Sequence, residues 1–190
     1  MKSLSLSSPH IIAMVGIPGA GKTHFAAQFA ETFVAPFICH HGLQPLSNND
    51  DAVHGATLDI LKEVMKTKQT IVYEGETDRR VERMELARLA RSQGYKVLFV
   101  WVQTDQATSQ NRSKKSIPTE LYQARLRTFS PPHESEPHIV ISGKHTYSTQ
   151  ARTLLKRLTE QARPASNHKI TSLSTPAVPP RQASSRIKIS

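Results

Sequence analysis

The octapeptide Gly16-Ile17-Pro18-Gly19-Ala20-Gly21-Lys22-Thr23 constrains this chain more than any other feature, because it meets the pattern G-x-x-x-x-G-K-[ST] at each fixed position. Residues 10–15 ahead of it, with the apolar run Ile11-Ile12-Ala13-Met14-Val15, read as a buried strand. Residues 22–32 behind it read as a helix with Phe25, Ala26, Phe29 and Ala30 on one face. A strand, a glycine turn and a helix in that order can cradle a phosphate chain, since the N–H groups that open the helix converge on one spot and favour negative charge there. Gly16, Gly19 and Gly21, with Pro18 and Ala20 between them, bring the backbone close to the phosphates. Lys22 would reach the β- and γ-phosphates, the Thr23 hydroxyl would ligate Mg²⁺, and His24 would continue the binding row. ATP and Mg²⁺ are the expected ligands. GTP is disfavoured, since no Asn-Lys-x-Asp base-reading segment occurs.

Strand-like and helix-like segments alternate down the chain, which predicts an α/β fold. Further strands are expected at residues 36–39, 71–73, 96–102 and 139–142. Together with 10–15 they would form a mainly parallel five-stranded sheet in a three-layer α/β/α sandwich, the P-loop NTPase arrangement. A long polar loop is expected from the second strand through Asp51. The next helix would end near Lys66. A later one carries Val81, Met84, Ala87 and Ala90 at three-residue spacing, with Gly94 as its terminator. Most of Arg79, Arg80, Arg83, Arg88 and Arg91 would then form a solvated face. A helix capped by Thr104 and Asp105, a basic patch and a helix over 119–129 would make a lid, and a last helix would span 149–162. Tyr122 and Trp101 read as packing residues.

Composition adds bounds. The 190 residues suit one domain, expected over 1–163, followed by a basic and disordered tail over 164–190 rich in Ser, Thr and Pro. The formal charge of +10 favours polyanionic contacts, and the tail contributes Lys169, Arg181, Arg186 and Lys188 to it. A single Cys39 excludes a disulfide framework and reads as a small buried hydrophobe. No apolar stretch is long enough for a membrane span, and a cytoplasmic location is expected.

A P-loop needs an acid on a neighbouring strand to help hold the metal. Glu74 closes the third strand and is the candidate, with Thr23, for that ion; Asp78 reads as a cap of the following helix. Arg112, with Lys115 beside it, could close over the phosphates, where charge builds up during transfer. Lys144, in the loop after the last strand, could pack its stem on adenine.

Beyond the loop itself, the run from Glu74 to Arg83, the helix closing in Gly94-Tyr95, the stretch from Val100 to Arg112, Ile117-Pro118, and Pro132 with Glu136 are telling. Through them the chain resembles small AAA-type P-loop kinases of the polynucleotide 5′-hydroxyl kinase and zeta-toxin-like group, over about residues 11–158. The resemblance implies transfer of the ATP γ-phosphate to a hydroxyl, with Lys22, Glu74, Arg112 and Lys115 as catalytic residues. It also exposes a departure: the Asp that such kinases carry after the second strand is missing from Phe37-Ile38-Cys39-His40-His41-Gly42-Leu43. The available bases are His40, His41, Asp50, Asp51 and Glu76.

The expected function is therefore an ATP-dependent phosphotransferase acting on a small or nucleotide-like hydroxyl. The alternative is an ATPase, or a nucleotide-dependent switch, that docks to nucleic acid or a protein without phosphorylating it.

Overall fold

The structure is a computed structural model that describes residues 6–162; the tail expected over 164–190 lies outside the described residues. Strand β1 (His10–Val15) is buried at every position, as a strand with neighbours on both edges and helices on both faces must be. It pairs with β3 (Ile71–Glu74) on one side and β4 (Lys96–Gln103) on the other. Outside these lie β2 (Phe37–Cys39) and β5 (His138–Ser142), giving the order 2-3-1-4-5 with every pairing parallel.

Side chains alternate across β1 and so build two cores. Ile12 and Met14 pack with Phe25 and Phe29 of α1 (Lys22–Phe33) and Leu154 and Leu158 of α7 (Tyr147–Ala162). Ile11, Ala13 and Val15 pack with Leu61 and Met65 of α3 (Asp50–Met65) and Leu86 and Ala90 of α4 (Arg80–Ser92). Helices thus cover both faces, and the expected three layers are present.

Two local expectations are corrected. The polar loop after β2 contains a one-turn helix, α2 (His40–Leu43), and a 3₁₀ turn at Gln44–Leu46. Helix α3 then opens at Asp50, because the Asn49 side chain accepts the Ala52 N–H at 3.2 Å. On α4 the buried face is Arg83, Leu86 and Ala90, while Val81 and Met84 are 53% and 45% exposed. A strict three-residue repeat drifts around a 3.6-residue helix, so it cannot stay on one face.

Arg79, Arg80, Arg88 and Arg91 are exposed, as expected of most of the five arginines, and Arg83 is the exception, fully buried. Its Nε donates to Glu136 Oε1 at 2.7 Å and its Nη2 to Glu136 Oε2 at 3.1 Å. The remaining donors reach the carbonyls of Thr77, Ser130 and Pro131. All five guanidinium N–H groups are thereby placed, which is what lets a cation enter a core. The network ties α4 to the segment ahead of β5. As expected, Gly94 terminates α4: just past the Gln93 cap the chain turns there with φ 75°, and Tyr95 N–H bonds back to Ala90 O.

The lid is α5 (Gln106–Ser113) and α6 (Thr119–Thr128), joined by the buried Tyr122 hydroxyl, 2.7 Å from Ser109 Oγ and 3.2 Å from Gln106 O. Trp101 packs on Phe129. No described helix is long and apolar enough to cross a membrane.

Candidate active site

The strand order switches beside β1, with β2 and β3 laid down on one side and β4 and β5 on the other, and in such sheets ligands bind beyond the carboxyl ends of the strands at that point. The glycine loop lies there. Gly19 sits at φ 76°, and a Cβ at this position would collide with the backbone carbonyl of Ser109, so only glycine lets the loop nest against α5. Gly21 precedes α1 with no side-chain cap, which leaves the first-turn N–H groups of Lys22, Thr23 and His24 for a ligand. Lys22 Nζ donates to the carbonyls of Gly16 (2.6 Å) and Ile17 (3.2 Å). Burial lowers its pKa, with Asp78 and Glu74 opposing.

Thr23 Oγ1 donates to Glu74 Oε1 at 2.8 Å, and Glu74 is buried at the end of β3. Cys39, expected as an inert buried hydrophobe, is half-buried with its Sγ 3.6 Å from Glu74 Oε2. Burial, and then Glu74, push its thiol pKa up, so it stays protonated. A hydroxyl and a carboxylate oxygen at this spacing suit a hard divalent ion. Among the described residues no cluster of three or more His, Cys, Asp or Glu could hold a metal. Mg²⁺ fits that arrangement, since it takes one or two protein oxygens and completes its shell from phosphates and water.

Two of the cavities that border the loop are lined by its Gly21 and its Lys22. The first, about 420 Å³, brings Gly21, His24, Arg112, Lys144 and Tyr147 together. Arg112 Nη1 donates to Gly143 O at 3.1 Å, so the lid arginine already rests on the loop after β5. Lys144 Nζ lies 2.6 Å from Asp105 Oδ2, the cap of α5. Lys144, followed by the Thr108 N–H, holds the Asp105 carboxyl well below the usual carboxylate range. Lys115 is not brought in: it is exposed beyond α5 and makes no side-chain hydrogen bond or ion pair among the described residues.

The second cavity, about 220 Å³, lies on the other side of Lys22 and is lined by Lys22, His41, Glu76, Asp78 and Arg125. Here the site departs from expectation. Asp78 does not cap α4, because Arg79 holds the N-cap position and Glu82 accepts the Arg79 N–H at 2.9 Å. Asp78 is left facing the cavity, where burial pushes its carboxyl up while Lys22 and Arg125 pull it down. No acid closely follows β2, whereas Asp78 follows β3 and lines this cavity.

Among the other candidate bases, His40 is buried with Nδ1 3.4 Å from Thr57 Oγ1. His41 lines the cavity, and desolvation, aided by Lys22 and Arg125 against Glu74, keeps its imidazole low and neutral. Glu76 lies 3.4 Å from His54 Nδ1. Asp50 and Asp51 are exposed in the first turn of α3. The residues that sequence reasoning missed are Asp78 and Arg125. Arg125 carried a signal, since it follows the buried Tyr122 by three residues and so shares its side of α6.

A family model described as an AAA domain matches residues 11–116, more than half of the chain. A search of curated proteins finds no match. Among solved structures, a gluconokinase from Sinorhizobium meliloti 1021 is 21% identical with a TM-score of 0.62, covering 81% of this chain and 94% of its own. A sugar kinase from Janibacter sp. HTCC2649 is 19% identical with a TM-score of 0.61, covering 80% of this chain and 95% of its own. The APS kinase of Mycobacterium tuberculosis, solved with AMPPNP and APS, is 15% identical with a TM-score of 0.59, covering 80% of this chain and 98% of its own. These likenesses establish the P-loop NTPase fold.

Proposed function

The chain belongs to the AAA domain family, and from that we propose that it transfers the γ-phosphate of ATP to a hydroxyl of a small acceptor bound between Lys22, His41, Asp78 and Arg125. One observation carries this: Lys22, fixed in the phosphate loop, also lines the cavity that holds Asp78 and Arg125. A phosphate chain on the loop would therefore meet an acceptor lying against a carboxylate. Fold neighbours named as gluconokinase, sugar kinase and APS kinase support the same reaction class.

In this reading the acceptor oxygen attacks the γ-phosphorus while its proton passes to Asp78. The bond from the γ-phosphorus to the bridging oxygen breaks, and ADP leaves. Thr23 and Glu74 would hold Mg²⁺, which would supply neutralisation of the phosphate charge. Lys22 and Arg112 stabilise charge on the transferred group, and Lys144 with His24 flanks the base. Raising Asp78 above the ordinary carboxylate value fits a base, since it brings basicity closer to neutral pH.

The motifs from Glu74 to Glu136 favour kinship with the polynucleotide 5′-hydroxyl kinase and zeta-toxin-like group and a cytoplasmic location. The surplus of +10 favours the second reading, an ATPase docking to a polyanion through the basic segment 164–190. The test is ATP labelled at the γ-position, incubated with Mg²⁺ and pools of polyols, nucleosides and 5′-hydroxyl oligonucleotides, beside Lys22→Ala. Label on an acceptor, lost in the variant, supports the kinase; label released only as free phosphate rejects it in favour of the ATPase.

A further inference from the structure

A cavity of about 280 Å³ opens between α3 and α4, beside the proposed acceptor cavity. The two share Glu76, Arg79 and Glu82, so these side chains form a partition through which the cavities adjoin. Chemistry changes across it. On the Lys22 side the lining is mostly charged; on the far side Leu58, Val81, Leu86 and Leu89 form an aliphatic wall beside Tyr73, with His54 and Glu85 as its polar members. Val81 is 53% exposed, an apolar rim that the packing of α4 leaves unused.

Two polar groups of this second cavity make no hydrogen bond among the described residues. Tyr73 is 1% exposed, yet its hydroxyl makes no hydrogen bond among the described residues. Buried His54 Nδ1 likewise has no hydrogen-bond partner; Glu76 Oε2, 3.4 Å away, lacks the geometry. Buried polar atoms are rarely left unsatisfied, so His54 Nδ1 calls for a further partner, and the Tyr73 hydroxyl beside it is an accessible donor a ligand could use. Gly75 lines the charged cavity, and a Cβ there would collide with Tyr73 Oη, so the phenol reaches the seam between the two spaces. Neither cavity alone reaches the roughly 300 Å³ at which small-molecule sites begin, and joined they exceed it.

We propose that the two cavities are one bipartite acceptor site. Its ligand is a hydroxylated head joined to a flat apolar group with one polar edge, the chemistry shared by nucleosides and aryl glycosides. The head would lie by Asp78 and Arg125, and the apolar group between α3 and α4 with its polar edge on Tyr73 Oη and His54 Nδ1. This rests on the phosphotransferase reading for the role of the head, while the shape and chemistry of the site stand apart from it.

The test is calorimetric binding of matched probes to the full chain with ADP and Mg²⁺: ribose against uridine and adenosine, and glucose against phenyl β-D-glucoside. At least one capped probe is expected to bind about tenfold or more tighter than its bare sugar, a gain of about 1.4 kcal/mol. Which one does so separates nucleoside from aryl glycoside. The gain should vanish in Val81→Glu and shrink in the near-isosteric Tyr73→Phe, with the melting temperature and ATP affinity of both variants retained. Equal binding of capped and bare probes, or a gain that survives both substitutions, overturns the proposal. Phosphate transfer is scored separately. Transfer to bare sugars with no preference sinks the bipartite site alone, and tight capped binding without transfer sinks the phosphotransferase reading alone.

Discussion

The Thr23 hydroxyl donates to Glu74 at 2.8 Å, joining the first turn of α1 to the end of β3 across the seam where the loop opens. Both oxygens would serve one ion. Glu74→Gln keeps the shape and removes the charge. The Mg²⁺ needed for half-maximal transfer should rise at least about tenfold, and the maximal rate should fall by an amount worth several kcal/mol. A Mg²⁺ titration of initial rates checks this; an unchanged titration would remove Glu74 from the metal site.

Arg83 is fully buried, Glu136 is half-buried, and the two bind each other through two hydrogen bonds. Arg83→Met would strand the carboxylate and three carbonyls, at a cost of about 3–5 kcal/mol. Replacing both, with Glu136→Leu as the second change, should recover much of that loss. Urea unfolding of the two single variants and the double variant reads the coupling directly.

That pair also shows where sequence runs out. The glycine loop is legible because phosphate geometry fixes its spacing, and β1 because burial on both faces leaves an unbroken apolar run. Arg83 resembles its neighbours Arg88 and Arg91, and its burial is decided by a residue 53 positions away. One turn of helix at α2 is too short to show a period. Asp78 was hidden by a plausible local role, since an acid before a helix usually caps it; the cavity it faces is completed only when α6 folds back with Arg125.

Asp78 makes stability and activity move in opposite directions with pH. Burial raises its carboxyl, helped by Glu82 and opposed by Lys22, Arg125 and His41. A raised carboxyl stabilises the fold fully below the pKa of the unfolded chain, and that contribution is lost as pH climbs through the higher folded value. Over the same rise the group ionises and becomes a competent base. Thermal melts across pH 3–8 are therefore expected to show Asp78→Asn gaining on the wild type as pH rises. A constant difference would mean that Asp78 is not held up.

Arg112 rests on Gly143 O at 3.1 Å and lines the nucleotide-side cavity. Arg112→Ala should lower kcat by about 10³-fold, the lower range for an arginine serving phosphoryl transfer. KM for ATP should change far less. Steady-state kinetics separates the two effects, and a change in KM alone would assign Arg112 to binding.

The most direct test of the account is the fate of the γ-phosphate in single-turnover reactions of wild type and Asp78→Asn, each saturated with labelled ATP, Mg²⁺ and an acceptor found in the pools. The account predicts label on the acceptor in the wild type. In Asp78→Asn it predicts undiminished ATP binding and transfer slowed by about 10²–10⁴-fold, the range for losing a general base. Equal transfer in the two proteins, or label appearing only as free phosphate in the wild type, would contradict it.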